Sequence, residues 1–323
     1  MANTIRSFSE QFQLASAFTI SRGTKTHAHV VRVIVSDGNH KGFGECVPYA
    51  RYGETVESVS AQIASLPQDI DRHGLQEAMP AGAARNAVDC ALWDLEAKRT
   101  NKPVWQIAGL KEPAELTTAY TLSLDTPEAM RENAQTNSHR PLLKLKLGTP
   151  DDMPRLRAVR AGAPQSTIMV DANEGWDVAT LLELQPTLEE IGVSLIEQPL
   201  PEADDSALAE TDIPLPLCAD ESCHTSDGLE ALVKKYDVIN IKLDKTGGLT
   251  EALKMKRIAV EMGFKIFVGC MVGTSLGMAP ATLVAQNANF VDLDGPLLLA
   301  EDRPHGLRYE GSTIFPPVPE LWG

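Results

Sequence analysis

Short apolar runs recur along the chain from about residue 117 onward, and each is bounded by glycine, proline or asparagine. Several contain β-branched residues, so their length and composition predict buried strands. Residues with polar side chains close most runs and recur about every 24 residues. The eight predicted strands are TTAYTLS (117–123), LLKLKL (142–147), TIMVD (167–171), VSLIE (193–197), PLCAD (216–220), VINIKL (238–243), KIFVG (265–269) and FVDLD (290–294).

Amphipathic segments lie between these runs. Residues 249–263 carry Leu249, Leu253, Ile258 and Met262 near helical spacing. Residues 177–192 are similar, and Pro186 is expected to bend or break that helix. Strands that alternate with helices predict an α/β fold, either a closed parallel barrel or an open doubly wound sheet. The even repeat favours a modified (β/α)7β TIM barrel over residues 116–298.

The first 115 residues lack this repeat. Residues 29–38 and 41–49, HVVRVIVSDG and KGFGECVPY, predict an antiparallel hairpin. Residues 83–99 carry an apolar stripe at helical spacing: Ala84, Ala87, Val88, Ala91, Leu92 and Leu95. We therefore expect an α+β capping domain at 1–115, with the proline-rich tail 299–323 packing back onto it.

Composition narrows the classes of partner. The chain is 43% hydrophobic with a net charge of −15, which argues against nucleic acid or an anionic membrane as its main partner. Its five cysteines show no CxxC spacing, and the N-terminus has no apolar signal region. A cytoplasmic protein is expected, and a homo-oligomer is compatible with these features.

Acidic and basic residues close the predicted strands. In a parallel barrel the carboxyl ends of the strands converge on one mouth. Taken singly, an aspartate after a strand is usually a helix cap and a strand lysine usually faces solvent. Together, three carboxylates on consecutive strands predict a hard divalent cation such as Mg²⁺. The residues are Lys144, Lys146, Asp171, Glu197, Asp220, Lys242, Asp292 and Asp294.

Lysines precede and follow the three acids, on the second and sixth strands. In a ring of eight strands these two positions lie opposite each other across the metal. Two such lysines can reach opposite faces of one carbon, which is the geometry that a 1,1-proton transfer requires.

These motifs resemble the enolase superfamily, specifically its muconate lactonizing enzyme subgroup. The matching segments are KLK (144–146), DAN (171–173), IEQP (196–199), ADES (219–222), NIKLDKTGG (240–248) and AVDCALWDLEAK (87–98). A lysine base with Mg²⁺ is a known feature of such sites. The resemblance implies that Asp171, Glu197 and Asp220 bind Mg²⁺. It further implies that Lys146 and Lys242 are the acid/base pair, and that Lys144 lowers the pKa of Lys146.

Residues expected around the mouth of the predicted barrel imply a class of substrate. The Asp292/Asp294 pair resembles the motif by which dipeptide epimerases hold the substrate ammonium group, although a turn cap at Gly295 is the structural alternative. In residues 18–30, which match the family's mobile loop, Arg22 resembles the residue that binds a glutamate side chain, with Lys25 as a substitute. Further candidates for substrate contact are Tyr49, Arg51 and Tyr52 in the second loop (46–55), and Met271 and Gly273 after the seventh strand.

The predicted function is therefore an Mg²⁺-dependent epimerase of dipeptides such as L-Ala-D/L-Glu, a substrate that suggests peptidoglycan turnover. N-acylamino acid racemase and o-succinylbenzoate synthase, of the same subgroup, are the alternatives. Two further alternatives come from other functional classes. One is a catalytically inactive barrel that serves as a binding protein. The other is a serine hydrolase, which is considered because GTSLG (273–277) matches G-x-S-x-G and Asp294 and His305 follow it.

Overall fold

A computed structural model describes residues 3–149 and 151–323 of the chain. Its N-terminal part is an antiparallel sheet of three strands within these residues, covered by helices. The sequence prediction of a hairpin is confirmed, because Val31 pairs with Cys46 across the second and third strands. The elements are β1 (Thr4–Ile20), β2 (Gly23–Ser36), β3 (Lys41–Cys46), α1 (Val56–Ala64), α2 (Arg72–Ala78), α3 (Ala83–Thr100) and α4 (Val104–Ile107).

Helix α3 packs against β3 through two glycines. A Cβ atom at Gly42 would lie 2.1 Å from Ala91 O, and one at Gly44 would lie 2.1 Å from Ala87 O. These distances are far below van der Waals contact, so any side chain would force the helix and the strand apart. The predicted apolar stripe of α3 is buried throughout.

The long strand β1 is not predicted by the sequence pattern. It pairs with β2 along most of its length, and its far end, Phe18–Ile20, faces Gly23–Lys25. Residues 18–30, which the resemblance gives as a loop, therefore form the end of a β-hairpin. Its tip is the pair Ser21 and Arg22.

The remainder of the described chain contains an eight-stranded parallel sheet, and every predicted strand is confirmed. Its strands and helices are β5 (Tyr120–Leu122), α5 (Pro127–Thr136), β6 (Leu142–Lys146), α6 (Asp152–Gly162), β7 (Thr167–Asp171), α7 (Val178–Glu190), β8 (Val193–Glu197), β9 (Leu217–Ala219), β10 (Val238–Ile241), α8 (Leu243–Thr246), α9 (Leu249–Glu261), β11 (Lys265–Gly269), α10 (Ser275–Ala285) and β12 (Phe290–Asp292). Short 3₁₀ helices, Glu202–Glu210 and Ser226–Leu232, follow β8 and β9.

The sheet closes into a barrel at its first and last strands. The amide of Ala119 donates to Val291 O at 2.8 Å, which joins the segment before β5 to β12. The closed barrel is thus favoured over the open doubly wound sheet. Closure brings the carboxyl ends of all the strands to one mouth.

The barrel interior has an apolar layer beneath a charged one. Ala119, Met169, Leu195, Cys218, Val238 and Phe267 form the apolar layer. Lys144 packs against this apolar layer, and its Nζ lies 5.2 Å from the centroid of the Phe267 ring. The leucines that alternate with the lysines in β6, Leu143 and Leu145, belong to the layer between strands and helices.

Pro186 is expected to bend or break its helix, and the break is wrong because helix α7 contains the proline. The helix runs without interruption from Val178 to Glu190. Leu181 and Leu184 before the proline and Leu188 after it are all buried. Packing of one apolar face on both sides of Pro186 therefore outweighs the missing backbone hydrogen bond.

The C-terminal tail contacts both parts of the molecule. Strand β4 (Leu116–Thr117) pairs with β14 (Thr313–Ile314), which in turn pairs with β13 (Tyr309–Glu310). The indole Nε1 of Trp322 donates to Cys90 O of α3 at 3.0 Å. The domain limits 1–115, 116–298 and 299–323 stay predictions. None of the helices in the described residues has the length and apolarity needed to cross a bilayer.

Candidate active site

The charged side chains predicted from the strand ends meet at the barrel mouth. Asp171 and Glu197 end β7 and β8, and Asp220 follows β9. One oxygen of each carboxylate lies within 4.8 Å of the other two, and all three residues are buried. This spacing is typical of oxygen ligands that share one divalent cation.

Unsatisfied oxygens surround the three carboxylates. Glu197 Oε1 accepts from Asn240 Nδ2 at 2.7 Å, and its Oε2 is paired with the Lys144 ammonium group at 2.6 Å. Asn173 Oδ1 and Glu221 Oε2, which lie near the other two acids in sequence, are buried without a hydrogen bond from the described residues. Buried oxygens of this kind are costly unless a cation is bound. The donor set therefore fits Mg²⁺.

The pKa values of two carboxylates in this cluster are shifted in opposite directions. Burial raises the pKa of Glu197, and the negative charge of Asp171 raises it further. Burial acts in the same direction on Asp171, but the ammonium groups of Lys146 and Lys144 outweigh it and lower the pKa. A divalent cation at this position would favour the ionised form of all three acids.

Lysines contact these acids from opposite sides. Lys146 Nζ lies 2.6 Å from Asp171 Oδ2, and Lys242 Nζ lies 2.6 Å from Asp220 Oδ2. Burial disfavours the charged form of Lys242, but the charges of Asp220 and Glu197 outweigh it and raise the pKa. Cation binding at the carboxylates would weaken this attraction, which makes a neutral amine more accessible.

Lys144 joins the cluster to the last strand. Its Nζ lies 2.6 Å from Glu197 Oε2, 3.2 Å from Asp171 Oδ2 and 3.0 Å from Asp292 Oδ2. Asp294 Oδ2 accepts from the amide of Thr121 at 2.7 Å. Burial and the charge of Asp292 raise the pKa of Asp294. The two aspartates therefore form a partly compensated anionic pocket beside the lysines.

The mouth opens into a cavity of about 800 Å³, which lies between the barrel and the N-terminal sheet. The cavity is roughly at the upper end of the range for small-molecule sites. Of the residues predicted from sequence, its lining includes Arg22, Lys25, Tyr49, Arg51, Tyr52, Lys144, Lys146, Asp220, Lys242, Met271, Asp292 and Asp294. Asp171 and Glu197 lie beneath, almost fully shielded from solvent.

Gly273 is not part of this lining. A Cβ atom there would lie 3.0 Å from Val47 Cγ2 and 3.2 Å from Glu45 Oε1. The glycine therefore gives room to β3 of the N-terminal part and the residue after it. Contact of Gly273 with the substrate stays a prediction.

Two family models cover most of the chain. Residues 2–109 match the mandelate racemase/muconate lactonizing enzyme N-terminal domain, and residues 129–314 match the enolase C-terminal domain-like family. The chain belongs to the enolase superfamily. The matched ranges cover the N-terminal sheet and the barrel strands β6 to β12, so the resemblance seen in the motifs extends over both parts of the chain.

The chain is similar over almost its full length to curated members of the superfamily. It is 46% identical to the N-acetyl-D-glutamate racemase of a Pseudoalteromonas species, over 91% of this chain and 95% of the relative. It is 44% identical to the L-Ala-D/L-Glu epimerase of Escherichia coli K12, over 95% of this chain and 97% of the relative. Both relatives are named after a glutamate derivative. The glutamate nitrogen carries an acetyl group in the first name and an alanyl residue in the second.

Solved structures of the superfamily share the fold closely. An enolase family member from Agrobacterium tumefaciens with homology to dipeptide epimerases, with bound sodium and L-Ala-L-Glu, is 55% identical with a TM-score of 0.98, covering 99% of this chain and 100% of its own. The dipeptide epimerase of Cytophaga hutchinsonii, complexed with Mg and D-Ala-L-Val, is 28% identical with a TM-score of 0.92, covering 98% and 94%.

Lys245 is a residue of this enolase-superfamily site that sequence reasoning did not single out. Its buried Nζ donates to Asp220 Oδ1 at 2.6 Å, while Lys242 takes the other oxygen. Asp220 is thus held from both sides, and its ionised form is strongly favoured. The signal was present in NIKLDKTGG, where Lys245 follows Lys242 by three residues.

The serine hydrolase alternative finds no support in this superfamily fold. The hydroxyl of Ser275 is buried and donates to Asp302, and it accepts from the amide of Leu307 at 2.8 Å. Within the part of the chain that the structure describes, His305 forms no hydrogen bond with this hydroxyl. A nucleophile elbow instead exposes its serine to substrate.

Proposed function

We propose that the protein is an Mg²⁺-dependent epimerase of dipeptides with a C-terminal glutamate, such as L-Ala-L-Glu and L-Ala-D-Glu. The observation that carries the proposal is the pair Lys146 and Lys242, which contact opposite members of one carboxylate cluster. A reaction that inverts an α-carbon needs one base on each face, and we infer that these two lysines serve as those bases.

Asp171, Glu197 and Asp220 would hold the metal ion. When bound, Mg²⁺ would supply positive charge that stabilises the negative charge of the substrate carboxylate as the α-proton leaves. The spacing of the three acids supports this assignment, as does the buried Asn173 Oδ1, which accepts no hydrogen bond from the described residues.

Lys146 and Lys242 exchange roles between the two stereoisomers. One lysine, as the neutral amine, removes the α-proton of the C-terminal residue and becomes an ammonium group. The other, as the ammonium group, returns a proton to the opposite face and becomes neutral. The enzyme thus gains and loses one proton in each turnover, and no oxidant or second substrate is needed.

Asp292 and Asp294 would bind the ammonium group of the dipeptide. Lys144 compensates Asp292 at 3.0 Å, and the carboxyl of Asp294 accepts from the amide of Thr121. Asp294 forms no ion pair within the described residues, so its ionised carboxylate would attract the ammonium group.

Racemisation of an N-acyl glutamate is the second candidate, because the Pseudoalteromonas relative has that name. In both substrates the glutamate nitrogen is an amide. They differ in the acyl group on it, because alanyl carries an ammonium group whereas acetyl carries no charge. An anionic pocket at Asp292 and Asp294 favours the dipeptide. The cytoplasm and peptidoglycan turnover are the setting that we propose for such a substrate.

A panel in D₂O separates these candidates. Enzyme and Mg²⁺ are mixed with L-Ala-L-Glu, N-acetyl-D-glutamate and an N-succinyl amino acid, and deuterium uptake is followed by mass spectrometry. We expect kcat/KM for the dipeptide to exceed the others at least tenfold. A preference for N-acetyl-D-glutamate would replace the proposal with the racemase.

A further inference from the structure

The side-chain amide of Asn240 contacts the carboxylate cluster from inside the barrel. Asn240 lies on β10, two residues before Lys242, so both side chains leave the same face of the chain. Ile239 and Ile241 lie on the other face, in the layer between strands and helices. Asn240 is completely shielded from solvent. The alternation of β10 therefore brings a neutral amide into the charged layer of the barrel.

This amide holds one oxygen of a predicted metal ligand. Asn240 Nδ2 donates to Glu197 Oε1 at 2.7 Å, and both residues are buried. The other oxygen, Glu197 Oε2, lies 2.6 Å from the ammonium group of Lys144. A carboxylate with a partner on each oxygen cannot rotate about its terminal bond without losing one of them. Asn240 thus fixes the plane of the Glu197 carboxylate.

Gly269 on the neighbouring strand makes room for this amide. It ends β11 two residues after Phe267, which belongs to the apolar layer of the barrel interior, so Gly269 faces the interior as well. A Cβ atom at Gly269 would lie 2.7 Å from Asn240 Oδ1 and 2.9 Å from its Nδ2. Both distances are below van der Waals contact, so an alanine at this position would push the amide away from Glu197.

Packing alone does not account for an asparagine at this position. Asn240 Oδ1 is buried and accepts no hydrogen bond from the described residues. A buried acceptor without a donor destabilises the folded state, and an apolar side chain of similar volume would avoid that cost. The donor Nδ2 and its bond to Glu197 therefore explain the amide.

We propose that Asn240 is a positioning residue for the metal ion, because its amide orients the Glu197 carboxylate in the space that Gly269 leaves open. The inference rests on the metal assignment of the proposed function and adds two residues that are not metal ligands. Without the amide, the Glu197 carboxylate would have to be ordered each time a cation binds. Loss of a hydrogen bond to a metal ligand typically weakens metal binding about 10- to 100-fold.

Calorimetric titration with Mg²⁺, in the absence of substrate, compares the wild type with N240A, N240L, G269A and the double variant N240A/G269A. We expect the Kd for Mg²⁺ to rise about 10- to 100-fold in each single variant. In the N240A background, G269A should have no further effect, because the added Cβ atom then meets no amide. I241V, which shortens a side chain on the other face of the same strand, is the control and should leave the Kd unchanged.

Urea denaturation without Mg²⁺ gives the folded fraction of each variant, and the Kd is evaluated for that fraction. An unchanged Kd in N240L and G269A would overturn the inference and leave the proposed function intact. Additive effects in the double variant would also overturn it, since the two residues would then act separately. Weaker Mg²⁺ binding in the variants, together with a wild type that exchanges no dipeptide α-proton, would support the inference and contradict the proposed function. A wild type that binds no Mg²⁺ would overturn both.

Discussion

The ammonium group of Lys144 lies 2.6 Å from Glu197 Oε2, at the centre of the charged layer. The same nitrogen contacts Asp292 of the last strand at 3.0 Å. One buried cation therefore serves both the acids that would hold the metal ion and the pocket that would hold the substrate amine. Its removal should affect folding and metal binding together.

Lys144→Met should lower the free energy of unfolding by about 3–5 kcal/mol without Mg²⁺, because several buried carboxylates lose their partner. Mg²⁺ should restore a substantial part, since it supplies positive charge to two of them. Urea denaturation with and without Mg²⁺ measures both effects. Lys234→Met, at an exposed lysine, is the control and should change little. An equal loss with and without Mg²⁺ would refute the shared role.

The two candidate bases should be separable by stereochemistry. Lys146→Ala and Lys242→Ala should each abolish epimerisation, a loss of at least 10³-fold, because one face of the α-carbon then has no base. Each variant should still exchange the α-proton of one stereoisomer with D₂O through the remaining lysine. NMR of L-Ala-L-Glu and L-Ala-D-Glu measures this exchange. Full epimerisation by either variant would exclude that lysine as a base.

The carboxylate of Asp292 should increase kcat/KM for a substrate with a free ammonium group and not for one whose acyl group is uncharged. Asp292→Asn keeps the shape of the side chain and removes its charge. We expect kcat/KM for L-Ala-L-Glu to fall about 10- to 100-fold relative to that for N-acetyl-glutamate. Because Lys144 also contacts Asp292, both substrates share any loss that arises from the lysine. An unchanged ratio between them would argue against the ammonium pocket.

The free energy of unfolding should fall as pH rises, because the carboxyl of Asp244 loses its proton. The partly buried carboxyl of Asp244 accepts from Val47 N and Asn86 Nδ2, and burial raises its pKa from 3.8 to about 7. A raised carboxyl pKa means that the folded state binds more protons than the unfolded state between pH 4 and 7. The stabilisation is therefore complete below pH 4 and lost as pH rises through 7.

Asp244→Asn tests this dependence. Between pH 5 and 8 the wild type should lose about 2 kcal/mol more unfolding free energy than the variant. Urea titrations at the two pH values measure the difference. Parallel losses in both proteins would show that Asp244 does not titrate in this range.

The barrel was predictable because its signals are local. Each strand is a short apolar run, and each charged residue follows its strand directly, so periodicity alone places Asp171, Glu197 and Asp220 at one mouth. Closure follows from the even repeat. The helix over residues 83–99 was predictable from its stripe in the same way.

Other features depend on tertiary contacts that leave little trace in sequence. Strand β1 has no regular apolar alternation, because it is an edge strand with mostly exposed side chains. Pro186 stays helical because its neighbours are packed. The partners of Arg22, Asn173 and Glu221, are far from it in sequence and near it only after folding, and its contact with substrate stays a prediction.

Proton exchange at a single carbon tests the central claim most directly. Wild-type enzyme, Mg²⁺ and L-Ala-L-Glu are mixed in D₂O, and the α-protons of both residues are followed by ¹H NMR in one sample. The account predicts loss of the glutamyl α-proton signal with formation of L-Ala-D-Glu, while the alanyl α-proton persists. Exchange at alanine alone, or at neither carbon, would contradict it.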